Sequence, residues 1–196
     1  TGPALPSSID FFNDLQEVAT TFPNTQGVIS IIPNVLLTPY FNTIPYNGLF
    51  LEADQAVTIN NVFNPIGLFF NVGDNGFLIE DLSEPFGVRK MVEGELVLLS
   101  IPLDSVKCSG MGSIVPIPDR YILTLDEITA LNQTLFQYNN EISSYAATYN
   151  YALVDATAIY LSLQSGIVYN GVSISTEFVS GGAFSMDGLN LSPIGN

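Results

Sequence analysis

Apolar residues recur at helical spacing in two long parts of the chain. Between residues 8 and 22 they predict an amphipathic helix that Pro23-Asn24 ends. A longer helix is predicted from Thr124, which stands at capping-box spacing before Glu127, to Tyr149, with its aromatic stripe facing the core. Weaker helical patterns cover residues 52–63 and 157–163.

Short continuous apolar runs between these helices predict strands covered on both faces. They occupy residues 27–32 and 95–101, and residues 151–155 are predicted to form the strand that follows the long helix. Two hairpins are also predicted, one with strands at 68–71 and 77–80 around residues 73–76, and one over 167–175 around Asn170-Gly171. Alternation of helices with buried strands indicates an α/β fold, and no composition shift within residues 1–196 suggests a second domain.

The net charge of the chain restricts the classes of partner that it can bind. The sequence has 4 Lys and Arg against 19 Asp and Glu, a formal charge of −15, which repels nucleic acid and anionic membranes. Acidity spread over the surface for solubility is favoured over a dedicated cation site. No run reaches the ~20 apolar residues of a membrane span. The single Cys108 is expected in the core.

The chain has no histidine, which removes the usual base of serine and cysteine hydrolases and the usual ligand of catalytic zinc. Ser105 and Lys107 stand at a poor spacing for a Ser-Lys pair. Residues 73–75 resemble a Gly-Asp-Ser motif, and Asp74-Asn75-Gly76 resembles the start of a calcium loop, but a hairpin turn is the preferred interpretation of both. No cofactor or metal is predicted.

The acidic residues of the chain allow one other class of enzyme, the glycoside hydrolases. A glycoside hydrolase needs two carboxyl groups in one cleft. The candidates are Glu80, Asp81, Glu84, Glu93 and Glu95. A solvated acidic surface is the favoured interpretation of these residues, since the chain has no Trp to form a sugar platform.

The closing segment, residues 181–195, resembles the last sequence block of GDSL-type (SGNH) ester hydrolases, which normally reads Asp-x-x-His. The similarity continues backwards to Ile32-Pro33 and covers most of the chain, in a pattern like that of bacterial cell-envelope members. The segments between are residues 152–155, 165–168, 116–118 and 105–108. This resemblance implies a three-layer α/β/α sandwich with a mainly parallel sheet, into which the hairpins are inserted.

In that family a Ser from an N-terminal Gly-Asp-Ser block is the nucleophile, and Gly and Asn from later blocks help bind the oxyanion. None of these blocks is recognisable here. The family's final Asp orients the His that activates Ser, so Asp187 carries over and Asn190 stands at the His position. Without the resemblance, Asp187 is a turn residue before Gly188, and Asp155 is a helix cap or a site-lining carboxylate.

We therefore expect the C-terminal portion of an SGNH-like ester hydrolase, truncated at both ends and inactive because Ser and His are absent. The resemblance implies a small-molecule, lipid or carbohydrate ester as substrate and a cell-envelope or secreted location, and leaves the oligomeric state open. Loss of the family's first strand should expose apolar edges and lower solubility or stability. The alternative function is a catalytically degenerate surface binding module.

Overall fold

The computed structural model describes residues 6–22 and 25–195. The helices are α1 (Ser8–Thr21), α2 (Pro39–Asn42), α3 (Ala53–Phe63), α4 (Leu103–Cys108), α5 (Leu125–Tyr149) and α6 (Ala156–Ser165). The strands are β1 (Val28–Ser30), β2 (Leu49–Leu51), β3 (Gly73–Asn75), β4 (Leu78–Glu80), β5 (Val88–Lys90), β6 (Leu96–Val97), β7 (Ile122–Leu123), β8 (Ala152–Val154), β9 (Ile167–Tyr169) and β10 (Val172–Ile174).

The strands form separate two-stranded sheets. β1 pairs with β8 in parallel, and the pairs β2–β3, β4–β5, β6–β7 and β9–β10 are antiparallel. The mixture of helix and strand is confirmed. The three-layer sandwich with a mainly parallel sheet is not confirmed, because β1 with β8 is the one parallel strand pair within residues 6–22 and 25–195.

The two long helices, α1 and α5, confirm the predictions from the sequence, and each begins at a capping residue. The Ser7 hydroxyl caps α1 by accepting from the Asp10 amide at 3.1 Å. The capping box of α5 is complete, since the Thr124 amide donates to Glu127 Oε2 at 2.9 Å and the Glu127 amide donates to Thr124 Oγ1 at 3.4 Å. The predicted end of the first helix at Pro23-Asn24 lies outside the described residues.

The prediction that the aromatic stripe of α5 faces the core is confirmed for two of its three tyrosines, and the third, Tyr149, is 37% exposed. Tyr138 and Tyr145 are buried, and the Phe11 ring of α1 stacks on the Tyr138 ring at a centroid distance of 4.4 Å. Helices α1 and α5 therefore form one packed pair, with β1 and β8 lying against α5.

The hairpin predicted around residues 73–76 is wrong. Residues 73–75 are themselves strand β3, paired with β2, while β4 pairs with β5. The cause is the buried side chain of Asn75, which accepts from the Asn71 amide at 2.9 Å and donates to the Asn71 carbonyl at 2.8 Å. These local bonds compete with a hairpin turn by satisfying the backbone of the preceding loop.

The prediction that the strand at residues 27–32 is covered on both faces is also wrong. Val28 of β1 is 72% exposed, and all three residues of β8 are exposed. The Asn139 side chain of α5 bonds both the amide and the carbonyl of Ile32, at 2.8 and 2.9 Å, and so fixes the chain just after β1. In the run 95–101 the strand β6 has two residues, paired antiparallel with β7.

Two short signals near the end of the chain are confirmed. Asn170 and Gly171 both have positive φ, 49° and 80°, which the tight turn between β9 and β10 requires. Asp155 is the N-cap of α6, and its Oδ1 accepts from the Ala158 amide at 2.9 Å. Of the two interpretations of Asp155, capping is the one that the structure bears out.

The buried side chains form small clusters rather than one continuous core. Alternate residues of β4 serve two of them, because Ile79 lies in one cluster and Leu78 in the next. A third cluster joins α6 and β10 to the closing segment, through Leu163, Ile174, Ala183 and Phe184. This third cluster anchors the segment that carries Asp187.

Candidate functional site

The candidate site is a closed turn between Ser185 and Asn190. The Ser185 amide donates to the Asn190 carbonyl at 2.8 Å, and Phe184 pairs with Leu191 just outside it. The Gly188 amide donates to the Ser185 carbonyl at 2.9 Å inside the turn. These backbone bonds place Asp187 and Asn190 side by side on an exposed loop.

Four donors of the turn converge on the Asp187 carboxylate. Oδ1 accepts from the Ser185 hydroxyl at 2.5 Å and from the amides of Leu189 and Asn190 at 2.9 and 3.0 Å. Oδ2 accepts from Asn190 Nδ2 at 2.6 Å. The structure thus brings the two predicted site residues into direct side-chain contact, and it also gives Asp187 the local backbone bonds of a turn residue.

These bonds determine what the carboxylate can do. The pKa of Asp187 lies well below its ordinary value because these donors stabilise the charged carboxylate. The Ser185 hydroxyl has the largest effect, and the Leu189 amide and the Asn190 side chain have the next largest. A carboxylate with a lowered pKa is a poor proton acceptor near neutral pH. The amide of Asn190 cannot accept and return a proton either. The pair can therefore orient a neighbouring group but cannot carry a proton.

A second contact positions the turn against the start of α2. The Tyr40 amide donates to the Gly188 carbonyl at 2.9 Å, and the Leu99 amide donates to the Tyr40 carbonyl at 3.0 Å. Gly188 has φ +71°, and a Cβ there would lie 2.9 Å from the Tyr40 nitrogen. Only glycine fits this close approach, so Gly188 fixes the distance between the Asp187 turn and α2.

Two of the acidic residues considered for glycoside hydrolysis form ion pairs with one arginine, Arg89. Arg89 Nε donates to Asp81 Oδ2 at 2.6 Å, while its Nη1 and Nη2 donate to Glu95 Oε2 and Oε1 at 2.8 and 2.5 Å. The Glu95 side chain is 2% exposed, so a substrate cannot reach it. Glu95 is therefore a structural carboxylate.

Two of the remaining acids share a cavity. Glu80 and Asp81, with Asp119, line a cavity of about 400 Å³. The Ser83 hydroxyl, together with Arg89, lowers the pKa of Asp81 to about 2. A general acid needs a raised pKa, so Asp81 has the opposite property. The geometry gives no support to the glycosidase alternative.

The other candidates are not assembled into a site. Ser105 and Lys107 lie two positions apart on the short helix α4, and Asp74 lies in strand β3 rather than on a strand-to-helix turn where a nucleophile would stand. Cys108 is exposed, so the expectation that it is a core residue is wrong. It ends α4 at the surface.

The described ranges contain neither a metal-binding cluster nor a membrane-spanning helix. Residues 6–22 and 25–195 hold no group of three or more His, Cys, Asp or Glu side chains placed to bind a metal ion. In the same part of the chain, no helix has both the length and the apolar character needed to cross a membrane.

Sequence reasoning missed the group that binds Asp187 most closely, the hydroxyl of Ser185. The signal was present, because a Ser two residues before an Asp can reach its carboxylate within a turn. It also missed Tyr40, which contacts the turn from a part of the chain about 150 residues away in sequence. No pattern in the sequence predicts that contact.

Comparisons with known proteins leave the family open. No protein-family model matches the chain, and neither the curated proteins nor the solved structures contain a significant match to it.

Proposed function

We propose that this chain is the C-terminal portion of an SGNH-type ester hydrolase and does not itself hydrolyse esters. The observation that carries the proposal is the bond from Asn190 Nδ2 to Asp187 Oδ2 at 2.6 Å across an Asp-x-x-Asn spacing. In the resembled family the same spacing lets the Asp carboxylate orient a His. Here an amide occupies the place of the imidazole.

The fold proposed for the complete protein is a three-layer α/β/α sandwich with a mainly parallel sheet. The parallel pairing of β1 with β8 supports it, as does the packing of α5 against both strands. Such sheets are covered on both faces in complete folds. The exposure of Val28 and β8 is then a face that further strands and helices would cover.

Ester hydrolysis in this family depends on three groups, of which the chain offers one. The nucleophile and the base would be a Ser in a Gly-Asp-Ser block and a His, and the sequence contains neither a recognisable block nor any His. Asp187 would fill the orienting role. We propose an ester of a small molecule, lipid or carbohydrate as the parent's substrate, and a cell-envelope or secreted location.

The 196-residue chain should not turn over p-nitrophenyl acetate above the rate of buffer, because neither Asp187 nor Asn190 can serve as nucleophile and base. The measurement is the release of p-nitrophenolate by purified, folded protein. Asp187→Ala is the matched variant. Turnover by the wild-type chain that disappears in Asp187→Ala would contradict the proposal that the chain is inactive.

The orienting role of Asp187 can be tested in the chain as it stands. Because there is no other histidine, Asn190→His introduces a single imidazole whose NMR signals are unambiguous. The adjacent carboxylate favours the charged imidazolium, so its pKa should lie above the ordinary value of about 6.5. Adding Asp187→Asn should return the pKa to about 6.5. An unshifted pKa in the single variant would remove the orienting role.

The binding-module alternative is favoured by the same turn. All four hydrogen bonds to Asp187 come from within the turn, which stabilises its shape without any catalytic partner. Ester hydrolysis by the parent protein with Asn190 unchanged would count against this alternative.

A further inference from the structure

An apolar cavity, here called the α5 groove, lies between helix α5 and the loop that follows β1. Its volume is about 230 Å³. A dry apolar cavity of roughly 150 Å³ already suffices to hold benzene, so the groove can hold a large apolar side chain. None of the described residues that line it carries a charge. Its apolar and aromatic lining consists of Ile32, Pro33, Val35, Leu131, Leu135 and Tyr138.

The polar side chains described in the lining of the α5 groove are already bonded within the protein. The Thr134 hydroxyl donates to a backbone carbonyl of α5 at 3.0 Å, and Asn34 Oδ1 accepts from the Leu36 amide at 3.0 Å. The Tyr138 hydroxyl donates to the Pro6 carbonyl. An occupant of the groove would therefore be stabilised mainly by the burial of apolar surface.

Helices α1 and α5 run in the same direction. The Phe11 ring stacks on the Tyr138 ring, and further along both helices Gln16 Oε1 accepts from the Tyr149 hydroxyl at 3.0 Å. Traced backwards from Phe11, the chain therefore runs towards the N-terminal half of α5. That half contains the leucines of the α5 groove.

Residues 1–5 precede Pro6 in the sequence and are long enough to cover the α5 groove. From Leu131 to Tyr138 the groove extends roughly 10 Å along α5, at a rise of about 1.5 Å per residue. Five extended residues span up to about 17 Å. Two of the five precede a proline, a position that favours extended backbone.

We propose that residues 1–5 bind in the α5 groove, with the Leu5 side chain packed against Leu131 and Leu135. Leu5 is joined directly to Pro6, whose carbonyl is bonded to the Tyr138 hydroxyl in the lining of the groove. The segment has no charged side chain, so no charge is desolvated when it binds. Its covalent connection to α1 makes the binding intramolecular, which lowers the entropic cost. The bound segment adds a second attachment between α1 and α5.

A fluorescence experiment on the 196-residue protein tests this binding, because the chain has no Trp of its own. Leu5→Trp places a single indole in the segment, and Leu82→Trp places one in the turn between β4 and β5, where Leu82 is 95% exposed. Acrylamide should quench the indole of Leu5→Trp with a several-fold lower Stern–Volmer constant than that of Leu82→Trp.

A charge in the groove should release the segment. Adding Leu135→Asp to Leu5→Trp should raise the quenching constant to nearly that of Leu82→Trp, because the carboxylate would be desolvated under the bound segment. Adding Phe136→Asp is the matched control, since Phe136 is the next residue of α5, is 67% exposed and does not line the groove. It should leave the quenching unchanged. Far-UV circular dichroism establishes that the variants are folded.

A neutral apolar probe, N-phenyl-1-naphthylamine, measures whether the groove is closed in the wild-type chain. Leu5→Asp should lower the dissociation constant of the probe about tenfold, because the segment loses a buried leucine side chain and no longer competes with the probe. Adding Leu135→Asp should abolish this gain, and Leu82→Asp should bind the probe as the wild type does.

Three results would overturn the proposal. The indole of Leu5→Trp could be quenched as readily as that of Leu82→Trp, or Phe136→Asp could expose it as strongly as Leu135→Asp does. Equal binding of the probe by the wild type and by Leu5→Asp would show that the segment does not occupy the groove, which would then be open to a separate apolar ligand or to a second copy of the chain.

Discussion

Replacing Arg89 with Met should lower the free energy of unfolding by about 3–5 kcal/mol, the usual cost of removing one partner from a buried ion pair. Glu95, whose side chain is 2% exposed, would lose both guanidinium bonds and keep only the Val92 amide, which donates to its Oε2 at 2.9 Å. A buried carboxylate without its cation is strongly destabilising. Urea denaturation followed by circular dichroism measures the loss.

Two further variants separate charge from packing in that experiment. Arg89→Met combined with Glu95→Gln should recover roughly half of the loss or more, because a neutral amide in place of the carboxylate needs no cation and can still accept from Val92. Arg120→Met is the matched control, since Arg120 is exposed and lies over the Tyr121 ring at 4.7 Å. An equal loss in both single Arg variants would contradict the buried-pair explanation.

The same network makes stability depend on acid pH. The folded pKa of Asp81 is about 2, below the ordinary value of 3.8, because the Ser83 hydroxyl and Arg89 stabilise its charged form. A lowered carboxyl pKa contributes stability above pH 3.8 that is lost as the pH falls towards 2. The wild-type protein should therefore lose stability over this range, and Asp81→Asn should lose less.

Helices were predictable because their signals are local. Thr124 and Glu127 define the start of α5 within four residues, and the apolar period carries it to Tyr149. The β9–β10 turn was predictable for the same reason, since Asn170-Gly171 suits positive φ at both positions.

Sheet pairing was less predictable, because an apolar run does not reveal how many neighbours a strand has. Val28 belongs to such a run and is nevertheless exposed. The strand at Gly73–Asn75 was missed because the buried Asn75 amide satisfies the backbone at Asn71, a geometry that propensity does not describe. The bond between Arg89 and Glu95 likewise depends on how β5 meets the turn that precedes β6.

In the candidate site, too, some features could be predicted from the sequence and others could not. The resemblance placed Asn190 at the His position three residues after Asp187, and in the structure Asn190 Nδ2 donates to Asp187 Oδ2 at 2.6 Å. The donation from Ser185 and the close approach of Tyr40 to Gly188 were not expected, since one depends on turn geometry and the other on tertiary packing. Both bonds help to fix the conformation and position of the turn.

In a version of the protein extended at its N-terminus with the coding sequence of its parent gene, Asn190→His should raise kcat/KM for p-nitrophenyl acetate by about 10³- to 10⁴-fold. The imidazole would supply the missing base, and Asp187 Oδ2, which now binds Asn190 Nδ2 at 2.6 Å, would orient it. Changing Asp187 to Asn in the same protein should remove most of the gain, because the imidazole then loses its carboxylate partner. Replacing the Ser of the Gly-Asp-Ser block with Ala should abolish it. A parent gene without that block, or a folded Asn190→His variant with no gain, would exclude the ester hydrolase proposal.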